Sequence, residues 1–440
     1  MILINCFYFF IFLFFFISLH IIEGPEIKRV EGSATLEIQI EKDIVKSAKL
    51  KVKESKRFFT QGVRGKNFES VPSFLSRICG TCSIAHMMAS TEAIEKAFCI
   101  ENSEQTINLR KLLMNGLMIR DHALHLYFFS LPDIFKKDSL LEIEDVDLIK
   151  DCFDVKEAGN QICKVVGGRA VHPTNITIGG FLKIPKEEEL KNVLKILKNT
   201  REKVLKLIQI FYSQSENFER ETIYIAIVGN YDFLEGKIKS TNGIEVEEKD
   251  FGEFMERVII PYSQATAFRF YGKTFMVGAL ARMNLAKETL NKETKDYASE
   301  FLKVFPSNNV FHNNLAQAIE ILHCIDSSIE IIEKEEFKEE KPKSFFVKDA
   351  IGYGVVEAPR GTLYHKLLIK NGKVIDANFI IPTAQNHVQM EEDIKILVQR
   401  LINENKNEHE IIHEVEKLIR AYDPCFSCAT HFLKLKLKKL

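Results

Sequence analysis

Two cysteines spaced Cys-x-x-Cys can set two thiolates on one metal, and this chain has two such pairs, Cys79 with Cys82 and Cys425 with Cys428. The pairs stand near opposite ends of the sequence, far beyond the roughly 15–20 residues that separate the knuckles of a local zinc ribbon. Thiolates select soft or borderline metals, so zinc, nickel, copper(I) and iron are candidates, while magnesium and calcium are not. On spacing alone three readings stand: one metal shared by both pairs, a structural zinc, or a local redox dithiol of thioredoxin type. Two distant dithiols give the last no special support. The other cysteines, Cys6, Cys99, Cys152, Cys163 and Cys324, are scattered through mostly apolar or helical surroundings and read as buried free thiols. An odd total of nine, without the layout of a small secreted domain, suggests a reducing compartment and hence the cytoplasm.

The flanking residues narrow the choice. The first pair stands in Arg77-Ile78-Cys79-Gly80-Thr81-Cys82-Ser83-Ile84-Ala85-His86, and the second in Asp423-Pro424-Cys425-Phe426-Ser427-Cys428-Ala429-Thr430-His431. These resemble R-x-C-G-x-C-x-x-x-H and D-P-C-x-x-C-x-x-H, the paired motifs of nickel–iron hydrogenase large subunits. Arg29-Val30-Glu31-Gly32 is similar to the family's R-x-E-G element. Arg120-Asp121-His122-Ala123-Leu124-His125 and Gly168-Arg169-Ala170-Val171-His172-Pro173 look like internal family segments. Glu357-Ala358-Pro359-Arg360-Gly361 and Pro382-Thr383-Ala384-Gln385-Asn386 look like the two that line the metal site. The resemblance runs from about residue 28 to 431. The last two segments are most similar to the cytoplasmic deazaflavin-coenzyme-reducing hydrogenases of methanogens.

Carried over position by position, the resemblance implies an enzyme that cleaves hydrogen heterolytically. Cys79, Cys82, Cys425 and Cys428 would bind nickel, and Cys82 and Cys428 would also bridge to an iron carrying carbonyl and cyanide ligands. Cys425 would act as first base and Glu31 would relay the proton outward, a task that suits a partly buried carboxylate. Arg360 would sit over the open metal position, its guanidinium always charged. Pro382 and Thr383 would cradle the diatomic ligands, and His86 would donate a hydrogen bond to a bridging sulfur. Read without the resemblance, Arg360 is a loop arginine, Glu31 a surface turn and His86 an ordinary helix histidine. His122 and His125 share a helix face but are not read as ligands.

The sequence departs from the family in two places. Ser33 stands where R-x-E-G-H ends in His, and Thr60 stands where many members have a Glu that helps bind magnesium. The other magnesium ligands implied are His431 and the backbone carbonyl of Phe379, so that site is weakened or rearranged. After His431 a basic nonapeptide, 432–440, resembles the tail that a maturation protease removes; the plain alternative is a surface tail that stays.

These residues need elements to place them. Alternation of Leu36, Ile38 and Ile40, resumed at Leu50 and Val52, predicts a hairpin turning at Lys42-Asp43. Helical spacing predicts helices over 84–98, 103–130, from Glu187 to about Phe211, over 308–334, 390–403 and 409–421. Asn371-Gly372 between apolar runs predicts a second hairpin, and the charge run from Glu333 to Lys343 reads as a solvated linker. The expected fold is α+β and predominantly helical, a long-helix bundle with peripheral β-hairpins and small sheets. Residues 28–431 would form the hydrogenase domain. Residues 1–22 are almost wholly apolar, without a positive n-region, and read as a spurious extension, a membrane anchor, or a buried or partner-binding segment.

Sixty basic and 61 acidic residues give a formal net charge of -1, which offers no footprint for nucleic acid. No ferredoxin-type cysteine cluster is present. Electrons must therefore leave through an iron–sulfur small subunit, and a flavin- or deazaflavin-binding subunit would follow it. The alternatives are another acceptor, such as NAD(P) or sulfur, or a non-catalytic structural-metal or assembly homologue.

Overall fold

The computed structural model describes residues 19–430. The chain begins with an antiparallel sheet in the order β1 (Leu19–Glu26), β2 (Ala34–Glu41), β3 (Ile44–Val52). The expected hairpin is there, and Lys42 and Asp43 both take positive φ (50° and 60°), as a two-residue turn requires for twisted strands. Alternate residues Ala34, Leu36, Ile38 and Ile40 are buried. One boundary moves: Leu19 pairs with Glu41 and Ile22 with Ile38, so the end of the apolar leader is strand. Residues 1–18, His431 and the tail 432–440 lie outside the described residues. Among the described residues no helix is long and apolar enough to cross a membrane.

The helices that matter for the site are α1 (Ser83–Phe98), α2 (Glu104–Ala123), α3 (Val146–Gly167), α4 (Glu187–Tyr212), α5 (Ala279–Ala286), α6 (His312–Lys334), α7 (Pro382–Asn403) and α8 (Glu408–Ala421). Neighbour contacts run α2–α3–α4–α6 and back to α2, closing the long-helix bundle. In α4 the Glu189 carboxylate accepts from Lys186 N–H at 2.9 Å, and Leu190, Val193, Leu197, Val204, Ile208 and Phe211 form the buried stripe. The helix expected over 103–130 changes character: after Ala123 it widens into π-helical turns, Leu124–Ser130. Pro132, which has no N–H to continue the ladder, follows at once. Helix α7 starts at Pro382, eight residues before the expected 390, with proline in the first turn, where its missing N–H costs nothing.

A second antiparallel sheet comprises β4 (Ala350–Ala358), β5 (Gly361–Lys370) and β6 (Lys373–Ile380). Asn371 and Gly372 turn it with φ 48° and 68°. Smaller strands between 176 and 276 make further short sheets. Helix α1 lies flat on β4. A Cβ on Gly354 would come 1.9 Å from the Ala89 carbonyl oxygen, so only glycine lets these backbones touch. Gly354→Ala should therefore cost about 1–3 kcal/mol or more, read as a lower Tm of the purified complex; an unchanged Tm would show that α1 can lift off.

One expectation gains detail and one needs correction. The charged segment after α6 is a pinned strap. Lys338 exchanges hydrogen bonds with Gln105 (2.7 and 2.9 Å), Lys343 N–H donates to Gly179 O (2.9 Å), and Phe345 stacks on Phe98 at 5.6 Å. Composition showed its charges but not the anchors between them. Among the scattered cysteines, Cys152, Cys163 and Cys324 are buried free thiols as expected, Cys6 lies outside the described residues, and Cys99 is exposed. The reason is local: Cys99 caps α1 in the left-handed region (φ 57°), where the chain turns outward.

Candidate metal centre

Cys79 follows the 3-10 turn Ser76–Ile78 in extended conformation, and Cys82 is the N-cap of α1. The second pair follows α8, after a reversal at Asp423 (φ 50°) and Pro424. Its position is fixed from two sides. Cys425 bridges Glu31 as a parallel partner, with Phe426 N–H donating to Glu31 O at 2.9 Å. Cys425 N–H donates to Thr383 Oγ1 at 2.9 Å. Gly32 makes the first contact fit: its φ is +85°, and a Cβ there would lie 2.8 Å from Ser427 N. Ser33, in the place of the family histidine, donates its N–H to Glu54 Oε1 at 2.9 Å.

The four cysteines meet. All are buried, and their sulfurs lie within 4.8 Å of one another. The pairs cross: Cys79 Sγ is 3.4 Å from Cys425 Sγ, and Cys82 Sγ is 3.3 Å from Cys428 Sγ. Hydrogen-bonded contact with Cys425, then Cys428, holds the Cys79 thiol well below its usual range. Burial pushes Cys425 and Cys428 well up. Without a cation, then, the cluster favours one thiolate over four. A soft divalent metal is what would let all four ionise together.

A small cavity opens beside Cys82, Cys425 and Cys428. Its wall is apolar at Ala358, Leu363, Ile381 and Pro382 and polar at His86, Arg360 and Thr383. Arg360, at the tip of the β4–β5 hairpin, donates from Nη1 to Asp121 (2.9 Å) and pairs through Nη2 with Asp423 (3.0 Å). Its Nε is buried with no hydrogen-bond partner in the protein. An unpartnered donor in a dry pocket beside thiolates fits a metal carrying small acceptor ligands.

Glu31 lies at the edge of the cluster and is partly buried. The Cys425 thiol reaches its Oε2 at 2.9 Å, and the Ser427 hydroxyl reaches both carboxylate oxygens at 2.6 Å. Burial, then the negative charge on Cys79, pushes the Glu31 carboxyl above its usual range. His86 is buried on α1, and burial pushes it down to about 4; it faces His365. His122 binds Glu320 (2.8 Å), and His125 binds Gln317 (2.5 Å) and the Arg420 carbonyl (2.7 Å), so both serve the buried frame behind Asp121.

Magnesium fits less well. Thr60 is buried with its hydroxyl unpartnered, on a short helix that packs on β6, the strand of Phe379. Phe379 is buried, and its strand position pairs with His365. His431 is outside the described residues, and no second cluster of three acidic, histidine or cysteine ligands occurs among them. A hydroxyl and a carbonyl are a poor donor set for magnesium.

Sequence reasoning missed several supporting residues. Asp121 and Asp423 lay inside quoted motifs, yet their joint grip on Arg360 needs the fold. Arg282 on α5 was not singled out at all. It donates to Glu320 (2.6 and 2.7 Å), to Glu357 (2.8 Å), and to the carbonyls of Ala358 and Pro359 (both 3.1 Å), the two residues before Arg360. One signal was available: Glu320 interrupts the apolar stripe of α6 and had to find a partner.

The profile of nickel-dependent hydrogenases matches residues 57–147 and 241–431, more than half of the chain. The alpha subunit of sulfhydrogenase 2 from Pyrococcus furiosus is 36% identical over 94% of this chain and 100% of its own length. The matching subunit of the F420-non-reducing hydrogenase vhc from Methanococcus voltae is 30% identical over 85% of this chain and 87% of its own. Among solved structures, NAD+-reducing NiFe-hydrogenase in the H2-reduced state superposes with TM-score 0.83 at 22% identity, covering 94% of this chain and 99% of that one. The chain belongs to the nickel-dependent hydrogenase family. Within it, this is the large subunit, an oxidoreductase acting on H2.

Proposed function

We propose that the chain splits hydrogen at a nickel–iron centre held by its converging cysteines, in the cytoplasm. The observation that carries this is the approach of the two thiol pairs to within 4.8 Å, beside a cavity walled by Arg360, Pro382 and Thr383. Cys79, Cys82, Cys425 and Cys428 would hold nickel, and Cys82 and Cys428 would share an iron with carbonyl and cyanide ligands. That centre, when bound, supplies the electron-accepting site that polarises H2 toward heterolysis. Everything else falls to side chains. Arg360, clamped by Asp121 and Asp423, keeps a fixed positive charge at the cavity. Thr383 accepts from Cys425 N–H and so keeps its own hydroxyl hydrogen for a ligand in the cavity. Pro382 and its apolar neighbours exclude water.

The proton leaves by the carboxylate that Cys425 touches. The Cys425 thiol donates to Glu31 Oε2, and the Ser427 hydroxyl holds that carboxylate in place. Glu31→Gln keeps the shape and removes the group that can take up a proton. It should lower kcat about 10²–10⁴-fold while nickel and iron content stay at the parent level. Uptake assays beside metal analysis read this, and a parental kcat would remove Glu31 from the route.

Electrons would pass first to an iron–sulfur partner subunit, then to a carrier. Relatives of this chain are named for sulfur, for NAD and for not reducing F420. We therefore place NAD(P) or sulfur ahead of a deazaflavin as acceptor. The deciding experiment is metal analysis with infrared spectroscopy on the purified complex. Nickel bound to this chain together with carbonyl and cyanide stretches supports the proposal; zinc in place of nickel, or no carbonyl and cyanide stretches, overturns it.

A further inference from the structure

His86 on α1 and His365 on β5 meet nitrogen to nitrogen, His86 Nδ1 lying 3.1 Å from His365 Nε2. Both rings are buried, and neither has a carboxylate partner among the described residues. At that distance the two nitrogens hold one hydrogen between them. Suppose His86 owned it. A neutral His365 would then carry its hydrogen on Nδ1, and that nitrogen is buried with no partner. An orphaned buried N–H is rarer and costlier than an orphaned lone pair. The other arrangement avoids it: His365 donates from Nε2, His86 accepts at Nδ1, and only a lone pair is left unsatisfied. His86 must then carry its own hydrogen on Nε2. Its ring lines the cavity together with Cys82 and Cys428.

We propose that His365 is a positioning residue that fixes His86 in the Nε2–H form, so that the cavity beside Cys82 and Cys428 is offered a donor and never a bare nitrogen. The placement of His365 is itself secured. Its strand position pairs with Phe379, and the Phe379 ring sits 4.7 Å from its own, centroid to centroid. The motif reading assigned His86 alone, although a neutral histidine by itself does not choose its tautomer. The proposal rests on the metal-site reading above, because the donor matters only if sulfur or a metal-bound ligand receives it.

The test compares two variants in the assembled hydrogenase. His365→Phe keeps a buried ring and removes the donor. His365→Gln restores an N–H that can reach His86 Nδ1. Nickel and iron content, the carbonyl and cyanide bands, and kcat and KM for H2 are measured together. The phenylalanine variant should load metal, show shifted bands, and lose about 10–100-fold in kcat with KM little changed; the glutamine variant should return bands and kcat toward the parent. Parental bands and kcat in His365→Phe overturn the proposal, and so does equal impairment of both variants. If His365→Phe fails to assemble, His365→Leu takes its place beside His365→Gln, and the same results support or overturn the proposal. Absence of carbonyl and cyanide bands from the parent enzyme would instead overturn the metal-site reading.

Discussion

Cys425→Ala should abolish hydrogen uptake, and Cys425→Ser should not rescue it. No other cysteine of the cluster has so many roles. Its sulfur touches Cys79 on one side and Glu31 on the other, and its backbone N–H is spent on Thr383. Alanine removes one of the four proposed donors and the one sulfur, among the described residues, hydrogen-bonded to that carboxylate. Serine keeps a hydrogen-bonding atom near Glu31 but replaces a soft thiolate by a hard oxygen that stays protonated, which suits neither nickel nor iron. Uptake with an artificial acceptor should fall to background in both, and nickel content should fall with it, since ligand loss costs affinity as well as chemistry. Mixed results are informative. Full nickel with no uptake would separate proton transfer from metal binding. Parental uptake in the alanine variant would end the assignment of this cluster as the reaction centre.

How much of this was legible beforehand depends on the distance over which each feature is specified. The hairpin at Lys42-Asp43, the turn at Asn371-Gly372 and the stripe of α4 are set by neighbours within a few residues, so the pattern carries them. The cysteine motifs are likewise local strings, and their convergence could be proposed because each string is specific. What stayed hidden was structure imposed from outside a segment. The strap after α6 is charged like a linker, yet Gln105, Gly179 and Phe98 hold it down. The helix through His125 loses α geometry just ahead of a proline. Helix α7 begins at Pro382, ahead of the apolar spacing that predicts it from 390. Asp121, Arg282 and His365 act through partners far off in sequence, and no local rule names a partner. Support residues of a buried site are therefore the part a single sequence hides best.

Arg282→Met tests that hidden frame and should be the most destabilising single change away from the cysteines. All the donors of Arg282 are used, on two buried carboxylates and on the two carbonyls that precede Arg360. The carboxylates are not held alike. Glu320, gripped by two nitrogens of Arg282 and by His122 and Tyr231, sits at about 2 despite its burial. Glu357, held by one nitrogen of Arg282, is pushed up by burial. Methionine fills the volume but strands both charges, and breaking such a buried pair costs about 3–5 kcal/mol. The pH dependence supplies the sign. In the parent, the depressed Glu320 contributes stability that is present above its unfolded value of 4.5 and is lost as pH falls toward 2. In the variant both carboxyls are raised, so the folded state binds more protons than the unfolded one and stability falls as pH rises above 4.5. Thermal unfolding of the complex at pH 5 and pH 8 should thus show a variant that is worse at pH 8, and Glu320→Gln added to it should recover part of the loss. Whatever folds should also turn over more slowly, because the Ala358 and Pro359 carbonyls have lost the donors that aim Arg360. A variant with parental Tm at both pH values would mean that the two carboxylates find other partners, and that the loop carrying Arg360 is held by its hairpin alone.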